Sequence, residues 1–158
     1  MFPQLEKALV DLFKGSTTYK NASGATTVDP RIYAWFPAGD VVFVPGVKDV
    51  ATIYRFSITG RPGRWSYPSQ LGDMQLFLRV SSINQLKLGT VTEILVGENS
   101  FLDQASITTE NLSVKKISTL TVNDGLNEGA PTQPIHVRNF SFRFSNVFIR
   151  EPVEEDDE

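Results

Sequence analysis

The stretch "IHVRNFSFRFSNVFIR", residues 135–150, decides the fold. It is rich in β-branched and aromatic residues, and its apolar positions alternate with polar ones, as on a strand with one face buried. Ile135 and Val137 share one parity, Phe140, Phe142 and Phe144 take the other, and Val147 and Ile149 return to the first. Side chains on a strand repeat every two residues, so each change of parity moves the apolar set to the opposite face. Either bulges near Arg138–Asn139 and Ser145–Asn146 correct the register, or the strand is apolar on both faces because a second surface covers it. Phe140, Phe142 and Phe144 read as core, with a subunit interface as the other place that suits them.

Working back from this strand, the same period of two recurs. "RIYAWF" (31–36), "DVVFV" (40–44), "ATIYRFSIT" (51–59), "MQLFLRVSS" (74–82) and "LSVKKISTLTV" (112–122) are bounded by Pro, Gly, Asp or Asn and read as strands. "NDGLNEGAPTQP" then reads as a loop opening with a turn signal. Two segments have helical spacing instead. Leu5, Leu9, Leu12 and Phe13 form one apolar stripe in residues 3–14, with Pro3 in the first turn and Gly15 just past the end. In residues 84–97, Leu88, Val91, Ile94 and Leu95 keep the helical period between a capping Asn84 and a terminating Gly97. Gly89 and the β-branched residues pull against that reading, but the spacing favours a helix. "GSTTYKNASGATTVDP" (15–30) is small and polar throughout and reads as a long connection of the kind that is either functional or disordered. The expected fold is α+β: an antiparallel-rich sheet of about six strands with an N-terminal helix and one further helix.

The chain has 158 residues, 41% hydrophobic and 21% charged, which is ordinary for one soluble domain. It contains no cysteine, so disulfides and thiolate metal sites are excluded. No window resembles a signal peptide or a membrane span, and a soluble protein without membrane contact is expected. The net charge of -3 is uneven. "EPVEEDDE" (151–158) holds six of the 18 acidic residues and no base, which leaves residues 1–150 with 15 basic against 12 acidic side chains. We divide the chain into a domain over 1–150 and an acidic tail over 151–158 that cannot fold by itself. Glu154, Glu155, Asp156, Asp157 and Glu158 are either a solubilising run or an extension that repels a polyanion or touches a basic surface on a neighbour.

Chemistry is scarce. The single histidine, His136, stands in a strand without the carboxylate and nucleophile that a general base requires, and it cannot build a zinc site alone. "GRPG" lacks phosphate-loop spacing, and "NDGLNEG" lacks the later ligands of a calcium loop. Asp103, Glu110 and Asp124 form no recognisable acid–base pair. No catalytic residue, metal or cofactor is expected. Arg55, Arg61, Arg64 and Arg79, interleaved with Tyr54, Trp65 and Tyr67, have the composition of a single-strand nucleic-acid binder, although the body is only mildly basic. The same residue types mark protein interfaces. In "GRPGRWSYPS" (60–69), Arg61, Arg64, Trp65 and Tyr67 sit between glycines and prolines, on a loop stiff enough to dock at low entropic cost. The other reading folds Trp65 back as a lid on its own domain.

The order of elements resembles the tail-terminator (tail-completion) family of long-tailed bacteriophages. The resemblance runs through the N-terminal helix, "RIYAWFPAGDVVFVP", "LFLRVSS", "LKLGTVTEILVG", "KKISTLTVNDG" and "HVRNFSFRFSNVFI", and spans most of residues 3–150. It rests on element order rather than on an invariant motif. It implies a non-enzymatic subunit of a hexameric ring in the virion, assembled in the bacterial cytoplasm. Such a ring sits at the head-proximal end of the tail, stops growth of the tail tube and joins the tail to the head-side connector protein. Its partners would be copies of itself, the tail-tube protein and the connector, with DNA passing through unbound. A head-completion, connector or tail-tube ring subunit shares this logic, and a single-stranded nucleic-acid-binding module is the alternative from another class. The long "GRPGRWSYPSQLGD" insertion and the acidic tail depart from the family's pattern.

Overall fold

Strand β8 (Gln133–Ile149) is the axis on which the other strands are hung. The computed structural model describes residues 3–34, 43–58, 70–98, 100–130 and 132–149. Before β8 come α1 (Pro3–Lys14), α2 (Thr17–Ser23), β1 (Ile32–Ala34), β2 (Val50–Ile58), β3 (Gln70–Ser82) and α3 (Gln85–Val96). They are followed by β4 (Ile107–Thr108), β5 (Leu112–Val114), β6 (Lys116–Asp124) and β7 (Glu128–Ala130). The sheet runs β1-β2-β3-β8-β5-β4, and β6 and β7 also pair with β8. β1 lies parallel to β2, and every other pair is antiparallel. The class is the expected α+β, with a sheet that is mixed rather than purely antiparallel and with one more helix than expected.

The parity puzzle of β8 has two different solutions. From Met74↔Phe144 to Ser82↔His136 the register with β3 is unbroken, so there is no bulge at Arg138–Asn139. Val137 is buried on the reverse face instead, where the connection after β6 crosses it. The Gly125 N–H donates to the Val137 carbonyl, and a Cβ on Gly125 would come within 2.8 Å of Val137 Cγ1. At the other position the bulge is present. Four residues of β8, from Phe144 to Val147, lie opposite three of β3, from Met74 to Gly72, and Asn146 takes φ 51. Asp73 holds this bulge by accepting the Asn146 N–H at 3.1 Å and binding the Arg143 guanidinium. The result returns Val147 to the buried side.

The three helices cover one face of the sheet. Leu5, Leu9 and Phe13 of α1, Tyr19 of α2 and Leu88, Val91 and Leu95 of α3 pack with Tyr54, Phe56, Leu76, Leu78, Phe140, Phe142 and Phe144. Phe56 meets Phe144 edge-on with centroids 5.3 Å apart, and Phe13 meets Tyr19 in the same way at 4.8 Å. Burying one such ring contributes about 2–3 kcal/mol. Leu12, the fourth member of the expected α1 stripe, is half-buried at its edge. Asn84 caps α3 by accepting the Leu86 and Lys87 N–H groups, and the Gly97 N–H closes it on Glu93.

Residues 15–30 are not one long connection. Ser16 caps α2 by accepting the Tyr19 N–H, and Gly24 ends it at φ 79. The expected strand 112–122 is broken at Lys115 into β5 and β6, and β6 continues to Asp124. The expected loop after it shrinks accordingly, because β7 occupies 128–130. β3 begins four residues before the expected start at 74, and β1 covers 32–34 of the expected 31–36, of which residues 35 and 36 lie outside the described part. Of the expected strand 40–44, residues 40–42 lie outside the described part, and Val44 makes an isolated bridge to Lys48.

Candidate functional site: an open strand edge and a basic sheet face

β6 pairs with β8 on one side only. Along its first half the outer side is occupied. The Ile117 N–H donates to Ala105 O at 2.7 Å, the Gln104 N–H donates to Ile117 O, and Asp103 accepts the N–H and hydroxyl of Thr119 at 2.9 and 2.7 Å. A bulge at Leu120 then shifts the register with β8 by one residue. Beyond it Thr121 and Asn123 pair inward with Ser141 and Asn139, so the alternation of the ladder turns the Val122 N–H and C=O outward. Among the described residues, no main-chain hydrogen bond other than the ladder to β8 reaches Leu120–Asp124. Leu120 is 49% exposed and Val122 39%. Natural proteins usually blunt such an edge with lysine, proline or a covering segment; this stretch has no lysine or proline, and among the described residues no strand besides β8 pairs with it. It is a template for another strand.

The second feature is the sheet face away from the helices. Arg55 pairs with Phe77, and the guanidinium carbon lies 5.1 Å from that ring's centre. Ile53 pairs with Arg79, which puts Arg79 diagonally beside Arg55 on the same face. Arg143, opposite Gln75, completes a group of three arginines, of which Arg143 is bound by Asp73. Tyr54 does not join them. Its neighbour in sequence points the other way, and its ring is buried beneath the sheet with its hydroxyl 3.3 Å from Glu6 Oε1. Burial first, and then the Glu6 carboxylate, push the Tyr54 hydroxyl up to about 12.

A third cluster is structural. Arg31 is buried at φ 57, and its Nε donates to Val50 O at 3.0 Å. Asp29 lies 3.6 Å from Arg31 Nη1, takes a hydrogen bond from the Tyr33 hydroxyl and pairs with Lys48 at 3.1 Å. Burial alone would raise the Asp29 carboxyl, but the bonds from Tyr33 and Lys48 hold it below the ordinary range. Beside it the buried Asp49 binds Lys87 of α3 and the Gly46 N–H. These contacts tie β1, the 44–48 turn and α3 together at the end of the sheet where β2 starts.

Phe140, Phe142 and Phe144 are buried in the chain's own core at 2%, 0% and 0%, so an interface with another chain has to be built from other residues. Arg61, Arg64, Trp65 and Tyr67 lie outside the described residues, as do Glu154, Glu155, Asp156, Asp157 and Glu158. The strands that carry them are described. Gln70, the first described residue of β3, pairs with Phe148, one residue before the end of β8, so β3 starts at the end of the sheet where β8 stops. His136 is half-buried opposite Ser82. Among the described residues no group of three or more His, Cys, Asp or Glu side chains could hold a metal ion, and no helix is long and apolar enough to cross a membrane.

Sequence reading missed the open edge because the bulge that exposes it has no local signature in "ISTLTVND". It missed Phe77 as the ring under Arg55 and Arg143 as a residue of the same face, although parity within each strand carried that signal. No protein-family model matches the chain, and no curated protein matches it.

Proposed function

We propose that this chain is a structural virion subunit that closes into a ring, hexameric in the family it resembles, at the head-proximal end of a phage tail. The ring ends growth of the tail tube and offers a surface to the head-side connector protein, while DNA passes through its channel. The observation that carries the reading is the unpaired edge at Leu120–Asp124. A subunit with an unprotected edge is a liability alone and an asset in a ring, where each edge finds a neighbour. The direction of the strands adds support. Down the middle of the sheet β1 and β6 are the outermost strands and run in opposite senses, so the β6 edge of one copy meets the β1 edge of the next as an antiparallel pair. In this reading Arg61, Arg64, Trp65 and Tyr67 dock on the adjoining ring, and the chain catalyses nothing.

Growth of tail tubes from purified tube protein, followed by light scattering, tests the reading. Adding the chain to growing tubes should arrest elongation, and Trp65→Ala should weaken the arrest. Undiminished elongation would count against a terminator and favour a head-side connector. The Arg55, Phe77 and Arg79 face favours a second reading, a single-stranded nucleic-acid module. That reading requires salt-sensitive oligonucleotide binding that Arg55→Glu with Arg79→Glu abolishes.

A further inference from the structure

The open edge of β6 is complementary to itself. Every residue from Leu120 to Asp124 is exposed, and the Gly125 N–H still donates to the Val137 carbonyl, so the chain follows β8 to that point. Thr121 and Asn123 pair inward with Ser141 and Asn139, which turns the N–H and C=O of both Val122 and Asp124 outward. A two-fold axis through Asn123 sets Val122 of each copy opposite Asp124 of the other. Each of these two pairs exchanges both of its main-chain bonds, so four bonds form across the axis.

The side chains agree with that register. Leu120, Val122 and Leu126 are exposed large apolar residues within this one stretch, Leu126 at 90%. The axis through Asn123 brings Leu126 of one copy beside Leu120 of the other, and the symmetry repeats the contact. The single charge in the stretch, on Asp124, is balanced by Arg138 at 2.8 Å, so a second copy meets no unpaired like charge. Asp103, bound to Thr119, ends the pairing at Leu120. Seven residues from each copy span about 24 Å and cover roughly 400 Å² a side, half of the ~800 Å² of a standard interface. A contact of that size is weak and comes apart on dilution.

We propose that free chains store this edge by pairing β6 with β6 of a second copy about a two-fold axis at Asn123, and that a chain so paired cannot enter a ring. The pairing rests on the open edge alone. Its bearing on assembly rests on the ring reading, because both contacts use the outward groups of Val122 and Asp124. The dimer therefore opens before a chain joins its ring neighbours, and a weak contact lets it do so.

The chain lacks cysteine, so Asn123→Cys and Thr121→Cys each introduce a single thiol. Directly opposed residues of a non-hydrogen-bonded pair have Cα atoms about 4.5 Å apart, within disulfide reach. The two copies of residue 121 would stand about 14 Å apart, beyond it. Under mild oxidation Asn123→Cys should link into a dimer at least tenfold faster than Thr121→Cys. Sedimentation equilibrium of the unaltered chain should show monomer and dimer exchanging with concentration. Val122→Pro deletes one outward N–H without touching the bonds to β8, and it should weaken the dimer at least tenfold. Should that variant not fold, the two cysteine variants decide. A chain that stays monomeric at millimolar concentration, equal linking at 121 and 123, or a dimer untouched by Val122→Pro would each overturn the proposal. Arrest of tube growth by a chain that never dimerises would overturn it too and leave the ring reading standing. A dimer in a chain that leaves tube growth undiminished would support the pairing and count against the ring.

Discussion

The carboxylate of Asp103 accepts both the main-chain N–H and the hydroxyl of Thr119, at 2.9 and 2.7 Å. A side chain thereby takes the position that a neighbouring strand would occupy, and the edge of β6 is closed up to the bulge at Leu120 and open after it. Asp103→Ala removes that stopper and leaves a half-buried N–H unpaired. We expect a loss of about 1–2 kcal/mol in urea denaturation, together with greater self-association as more edge is laid bare. An unchanged midpoint would mean that the Asp103 bonds merely replace water.

Two glycines with almost the same backbone angle should respond very differently to alanine. Gly24 has φ 79, and a Cβ there would sit 1.6 Å from Val47 O, where the end of α2 presses on the 44–48 turn. Gly46 has φ 77 with nothing within 4 Å of such an atom. Gly46→Ala should cost only the left-handed penalty of about 1 kcal/mol. Gly24→Ala adds the displacement of main chain and should cost about 3 kcal/mol or more. Equal losses in thermal or urea melts would show that α2 and the turn are not packed together.

Tyr19 pins α2 to the sheet. Its hydroxyl donates to the Arg31 carbonyl and lies 2.9 Å from Thr52 Oγ1, fully buried. Burial holds the hydroxyl neutral well above its ordinary range. Tyr19→Phe keeps the ring and its contact with Phe13 but leaves two buried polar atoms short of a partner. The expected cost is about 2 kcal/mol by urea denaturation, and less than about 0.5 kcal/mol would contradict the geometry.

Acid should weaken the fold through specific carboxylates. Burial raises the Asp49 carboxyl, but the bonds from Lys87 and Gly46 outweigh it, and the group ends below its ordinary value. Asp73 is lowered chiefly by Arg143 and then by the Asn146 N–H. With folded values below unfolded ones, the unfolded chain binds more protons as the pH falls, so this stability is complete above the unfolded value of about 4 and drains away below it. The urea midpoint should fall between about pH 5 and pH 3, and Asp49→Asn should flatten that slope. An unchanged slope in the variant would move the effect to other groups.

Much of the fold was legible because apolar periodicity reports burial directly. Leu5, Leu9 and Phe13 announced α1, Asn84 and Gly97 bracketed α3, and the phenylalanines of 140–144 announced the core strand. α2 escaped because a seven-residue helix buries little, here Tyr19, Ala22 and Ser23, and its Ser16 and Gly24 caps read equally well as loop residues. The first change of parity in β8 was left open between a bulge and a covered second face, and a tertiary contact decides it for the second, since Gly125 lies against Val137 from another segment. The site was less legible than the fold. Arg55 and Arg79 were picked out, but Tyr54 was grouped with them although adjacent strand residues point to opposite faces. The edge at Val122 depends on a bulge and on the distant Asp103, which no local pattern encodes.

The most direct measurement is electron microscopy of the chain mixed with phage tail tubes, alongside Val122→Lys, which places a charge on the open edge without touching the core. The account predicts rings, or capped tube ends, for the unaltered chain, and their loss in Val122→Lys with an unchanged melting temperature. Bare tubes without rings at every concentration of the unaltered chain, or rings that Val122→Lys leaves intact, would contradict it.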